Sequence, residues 1–89
     1  MNRHLTRPLG DEVARFAADG AVCIRNVLDR EWVERMNRAV DRLLEQPGGR
    51  AREATKAGGQ GRFHMNVFMW RWDPDFRALA LDSPLPELA

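Results

Sequence analysis

The chain has 89 residues, enough for one small domain and too few for the core of a typical complete enzyme. A hydrophobic share of 44% and a charged share of 30% are those of a folded protein and exclude a disordered, fully solvated tail. Fourteen basic against thirteen acidic side chains leave a net charge of +1, so neither a nucleic acid nor an anionic membrane surface gains a long-range attraction.

All the cations but Lys56 are Arg, and they alternate with acids along the chain, as on a solvated surface. One cysteine, Cys23, excludes an internal disulfide and a Cys-rich zinc site, so a reducing, cytoplasmic setting is expected. No apolar run has the length of a signal core or a membrane span.

The first element is a short amphipathic helix over 11–19, with Val13, Phe16 and Ala17 at helical spacing and Gly20 as a left-handed stop. Residues 21–28, AVCIRNVL, are β-branched and predict a strand with Val22 and Ile24 on one face and Cys23 and Arg25 on the other. Asp29 then caps a helix to about Gln46, with Leu28 placed to staple onto Val33. Its apolar stripe is Val33, Met36, Val40, Leu43 and Leu44; Glu31 with Arg35 and Glu34 with Arg38 make surface pairs four residues apart. Trp32 is expected to pack on an adjoining layer.

Pro47 ends that helix, and five of the seven glycines fall in 47–61, which predicts a flexible loop. Residues 62–73, RFHMNVFMWRWD, predict a strand: Phe63, Met65, Val67 and Met69 alternate with His64, Asn66, Phe68 and Trp70, apolar on both faces. Asp73 followed by Pro74 starts a short helix carrying Phe76, Leu79 and Ala80. The stretch 82–86 breaks it, and 87–89 is placed to begin another. Two strands separated by a helix and a long loop do not make a self-sufficient sheet, so further strands are expected to cover them.

This order of elements resembles the opening of the phytanoyl-CoA dioxygenase family. The resemblance rests on a helix ending in Asp19-Gly20, the strand over 21–28, the helix capped by Asp29, and the aromatic stretch through Trp72-Asp73-Pro74-Asp75. It covers nearly the whole chain but only the front of the family's domain. The implied fold is α+β: N-terminal helices and flanking strands of a double-stranded β-helix, or jelly roll, incomplete in residues 1–89. The implied activity of the complete domain is hydroxylation of a small organic substrate using Fe(II) and 2-oxoglutarate. In the family the iron is held by a His-X-Asp pair and a distant His, a facial triad that leaves positions open. Those ligands come after the region represented here, so no catalytic, cofactor-binding or metal-binding residue carries over to this chain. It is expected to bind no cofactor alone, and to need the rest of the oxygenase domain or a partner chain over its apolar faces.

The residues offer little chemistry of their own. Only His4 and His64 supply imidazoles; His64-Met65-Asn66 imitates His-X-Asp with a neutral amide in place of the carboxylate, and His4 falls in a terminus expected to fray. Strand alternation puts His64, Asn66, Phe68 and Trp70 on one face, the candidate substrate-facing surface. The plainer alternatives are a histidine bonded to a neighbour or solvent, and aromatic core. Trp70 and Trp72 flank Arg71 in a base-stacking pattern, yet the charge balance favours core. Cys23 has no histidine partner near it and reads as a buried inert thiol. The glycines at 58–61 precede a strand, not a helix, and lack a phosphate-loop pattern. The competing function is a standalone interaction module that uses an exposed strand edge and an apolar helix face.

Overall fold

A computed structural model describes residues 1–46, 52–53, 61 and 63–89. Helix α1 spans Gly10–Asp19, with Asp11 and Glu12 in its first turn, where acids complement the helix dipole. Gly20 closes it at φ 77°, its N–H donating to the Phe16 carbonyl at 2.8 Å. Helix α2, Arg30–Glu45, is capped by Asp29, whose side chain accepts from the Trp32 N–H at 3.1 Å. Strands β1, Arg52–Glu53, and β2, His64–Met65, pair antiparallel with Arg52 opposite Met65 and Glu53 opposite His64. A 3-10 turn over Met69–Arg71 leads into α3, Pro74–Asp82. Asp73 caps α3 by accepting from the N–H groups of Asp75 and Phe76, both at 3.0 Å. Ser83 joins α3 to α4, Leu85–Leu88: its hydroxyl donates to the Leu79 carbonyl and accepts from the Leu85 N–H.

Side-chain caps thus start α2 and α3 and Gly20 ends α1, whereas both predicted strands are largely corrected. Residues 21–28 form no ladder. Val22 and Ile24 are half-buried while Cys23 and Arg25 are exposed, which keeps the expected alternation, but no strand lies beside them among the described residues. Asn26 at φ 61° then turns the chain toward α2. The predicted strand over 62–73 shrinks to two residues because Phe68 takes the left-handed conformation at φ 57° and starts the 3-10 turn. Within the predicted loop over 47–61, Arg52–Glu53 is a strand; its other residues except Gly61 lie outside the described residues. The described residues are therefore mainly helical with one two-residue ladder. They are compatible with an α+β class at the coarsest level, and a jelly roll is not among them.

The α2 stripe is also rotated by one residue from its expected position. Trp32, Ala39 and Leu43 are buried and Met36 half-buried, while Val33 and Val40 remain exposed. Both stripes satisfy a 3.6-residue period; the side with the indole wins, since Trp32 has the most area to remove from water and its Nε1–H reaches the Asn2 carbonyl at 2.6 Å. Trp32 is only 2% exposed. The core it anchors is small, adding Ala39, Leu43, Met69 and Pro84 as buried apolar residues among those described. The chain exposes 7055 Å². A compact folded monomer of this mass exposes about 5,300 Å².

The Phe68 backbone yields a signed prediction. A bulky residue in the left-handed region is strained, and this side chain is 64% exposed, so little packing compensates it. Phe68→Gly is expected to raise stability by about 0.5–1 kcal/mol in urea or thermal melts, since glycine adopts this conformation freely. A fall in stability would show that the ring contributes more than its exposure implies.

Candidate functional site

Two concave regions on this framework bear on function. The first is a small cavity of about 190 Å³ between α2, the segment after β2, and α3. Val40, Leu43 and Leu44 face it from α2 and Phe76 from α3. His64, Asn66 and Met69 close the remaining side. Of the expected substrate-facing set, the structure brings His64 and Asn66 together here. Phe68 and Trp70 do not join them: they are 64% and 45% exposed, because the turn at Phe68 ends the strand period that would have aligned all four. Both polar atoms of the Asn66 carboxamide are buried with no hydrogen-bond partner among the described residues, a state that typically costs about 1–3 kcal/mol per group.

The second is an open apolar groove of about 800 Å³ between α1, the 21–24 segment and the C-terminus. Leu5, Leu9, Val13, Phe16, Val22 and Ile24 line it. Helix α1 buries none of its residues, and Val13 and Phe16 stand 66% and 57% exposed. Along Ala21–Arg25, the main-chain N–H and C=O groups make no hydrogen bonds among the described residues. An apolar surface and an unpaired backbone edge therefore lie side by side.

A charge cluster ties α2 to the start of α3. Asp73 is buried, and besides capping α3 it accepts from Arg42 Nη2. Asp75 accepts from Arg42 Nη1 at 2.8 Å and from Arg35 Nε at 2.7 Å. Arg35 and Arg42 are seven residues apart, two turns along one face of α2, and the Arg35 guanidinium also lies 5.6 Å from the centre of the Trp32 ring. Hydrogen bonds from Arg42 and then Arg35 hold the Asp75 carboxyl below its ordinary pKa, and the Asp75 bond raises that of Arg42. The surface pairs expected within α2 give way to this arrangement: Arg35 turns to Asp75, Glu31 meets the N-terminal ammonium at 3.0 Å, and Arg30 pairs with Glu34.

The N-terminus is fastened instead of frayed. The Asn2 side chain donates to the Val27 carbonyl at 2.9 Å and accepts from the Asp29 N–H at 3.2 Å, while its own N–H donates to the Asp29 carboxylate. Burial works to raise the Asp29 pKa but is outweighed by the N–H groups of Trp32 and Asn2, so the net shift is downward. His4 pairs with Glu87 of α4, and with the Leu5 N–H this holds the Glu87 carboxyl below its ordinary pKa. Cys23 is exposed, not buried, because it sits on the outward side of the 21–25 alternation. Trp72 is half-buried with its indole N–H lacking a partner among the described residues, so only one of the two tryptophans flanking Arg71 is drawn inward.

Asn2 and the Arg35, Arg42, Asp73, Asp75 cluster were not singled out by sequence reasoning. The available signal was two arginines seven apart on a helix and Asp-Pro-Asp at the start of another. Among the described residues no group of three His, Cys, Asp or Glu side chains is placed to hold a metal ion, and no helix is long and apolar enough to cross a membrane. No family model matches the chain, and neither curated proteins nor solved structures include a significant match to it.

The paired carboxylates predict an acid limb. Asp75, Asp29 and Glu87 hold a proton less tightly folded than unfolded. Their contribution is therefore complete above the ordinary carboxylate value near 4 and is lost as pH falls through the lowered ones. The melting temperature is expected to hold from pH 7 to about 5 and to drop below about 4. Asp75→Asn is expected to lower it at pH 7 and to flatten the drop; an unaltered acid limb in that variant would remove Asp75 from this role.

Proposed function

We propose that the chain is the N-terminal scaffold of an Fe(II)- and 2-oxoglutarate-dependent oxygenase of the phytanoyl-CoA dioxygenase type, hydroxylating a small organic substrate, and that it is inactive by itself. The observation that carries this reading is the Ala21–Arg25 segment: its side chains alternate in burial, its backbone edge is unpaired among the described residues, and it adjoins an apolar groove. It lies between the Gly20 stop of α1 and the Asp29 cap of α2, the place the family resemblance gives to a strand. A neighbouring strand would complete its ladder and cover Val13 and Phe16 at once.

The histidines of this chain do not suit the iron. His4 is paired with Glu87 and His64 neighbours the neutral Asn66, so no step of the oxygenase reaction is assigned to residues 1–89. Their role is to present the sheet edge and hold the helices against it. The same groove and edge also favour a second reading, a standalone module that takes a strand from another chain.

Iron binding and 2-oxoglutarate turnover should be measured for the 89-residue chain and for the chain extended through the reading frame beyond Ala89. The oxygenase reading predicts both properties in the extended chain only. Tight stoichiometric iron binding by the 89 residues alone, or a stop codon directly after Ala89, would overturn it, and the stop would favour the interaction module.

A further inference from the structure

Left-handed residues stand at both ends of the Ala21–Arg25 edge, Gly20 at φ 77° and Asn26 at φ 61°, so the stretch free to join a ladder is the five residues between them. Two copies of this stretch running antiparallel keep Val22 and Ile24 on the groove side in several registers. Only one of these pairs all five residues and sets no left-handed residue opposite a strand residue. It places Cys23 opposite Cys23 of the second copy, Val22 opposite Ile24, and Ala21 opposite Arg25. That register is also complementary in charge. Asp19 and Arg25 are exposed, and their side chains make no ion pair or hydrogen bond among the described residues. Helix α1 has no basic residue in its last turn, so the Asp19 carboxylate and the last helical carbonyls leave a negative end. With Arg25 opposite Ala21, each guanidinium lies two residues from Asp19 of the second copy, within reach of an arginine side chain, and the two-fold axis makes the contact twice.

We propose that Ala21–Arg25 pairs with the same segment of a second copy of this chain, forming a two-fold antiparallel ribbon centred on Cys23. The two apolar grooves, both on the Val22 and Ile24 side, then become one continuous surface. This names the occupant for the second reading above, the strand taken from another chain, and rests on the same edge. Five paired residues make a small interface, so a dissociation constant on the order of 0.1–1 mM is expected, and the chain is a monomer with a free edge at micromolar concentration.

The test is sedimentation equilibrium of the 89-residue chain from about 0.02 to about 2 mM, with cross-linking of Cys23 by oxidised glutathione. Oxidised glutathione takes up the two electrons and two protons that the two thiols lose and leaves as two reduced glutathiones. Directly opposite strand residues lie at a separation that a disulfide spans, so Cys23 is expected to link two chains. Ala21→Cys in a Cys23→Ser background sets its thiols four residues out of register, about 14 Å apart, and is expected to link at least about tenfold more slowly. Arg25→Asp and Asp19→Arg are each expected to weaken association about fivefold, and the double variant to restore it, which a misfolded chain would not do. A chain that stays monomeric at about 2 mM, equal rates of linking at positions 21 and 23, or no rescue by the double variant would each overturn the proposal. The chain extended beyond Ala89 separates this inference from the oxygenase reading. Cys23-linked dimers there would support the dimer and defeat an edge covered by the chain's own strand, whereas a monomeric short chain defeats the dimer and leaves that reading standing.

Discussion

Asp73 is the point on which the C-terminal half of the structure depends. A buried carboxylate is costly unless hydrogen bonds and an opposite charge surround it, and three donors do so here: two main-chain N–H groups at the start of α3 and the guanidinium of Arg42 on α2. One side chain thereby starts a helix and ties it to its neighbour. Asp75 repeats the link to Arg42 and adds Arg35, so α3 is held against α2 at two points along one face. Asp73 also donates its own N–H to the Met69 carbonyl at 2.9 Å, which draws in the 3-10 turn and the buried Met69 side chain. The cavity that holds Asn66 is what remains between these fixed parts.

The N-terminal half follows a different logic. Asn2 ties the start of the chain to the entry of α2, and the Trp32 indole accepts that tether by donating to the Asn2 carbonyl. Beyond this knot the helix α1 and the segment after it contribute no buried residue, although both are amphipathic. Charge pairs and caps are used on one side of the structure, while Val13 and Phe16 of α1 stay exposed beside the Ala21–Arg25 edge, which is unpaired among the described residues. That is the surface to which the proposal assigns a neighbouring strand.

What could be read from sequence divides along the same line. Caps and stops are local: Asp29, Gly20 and Asp73 with Pro74 act within four residues of themselves, and the helix ends they set lie within a residue or so of expectation. Strands are pairings with distant residues, so the β-branched run at 21–28 and the aromatic run at 62–73 carried the right side-chain preferences without fixing a ladder. At Phe68 a backbone conformation rare for a large side chain separated Phe68 and Trp70 from His64 and Asn66, and nothing in the residue types signalled that break. Arg42 and Asp73 meet across thirty-one positions, and as separate residues each resembles ordinary helix surface or an ordinary cap. The oxygenase proposal rests on the resemblance carried by these local signals and on the Ala21–Arg25 edge.

The measurement that bears most directly on this account is amide hydrogen exchange, residue by residue, in the 89-residue chain and in the chain extended beyond Ala89. The account predicts that the amides of α2 are protected in both and that those of Ala21–Arg25 exchange freely in the short chain and become protected in the extended one. Strong protection of Ala21–Arg25 in the short chain by itself, or continued free exchange in the extended one, would contradict the claim that this segment is a strand edge awaiting its neighbour.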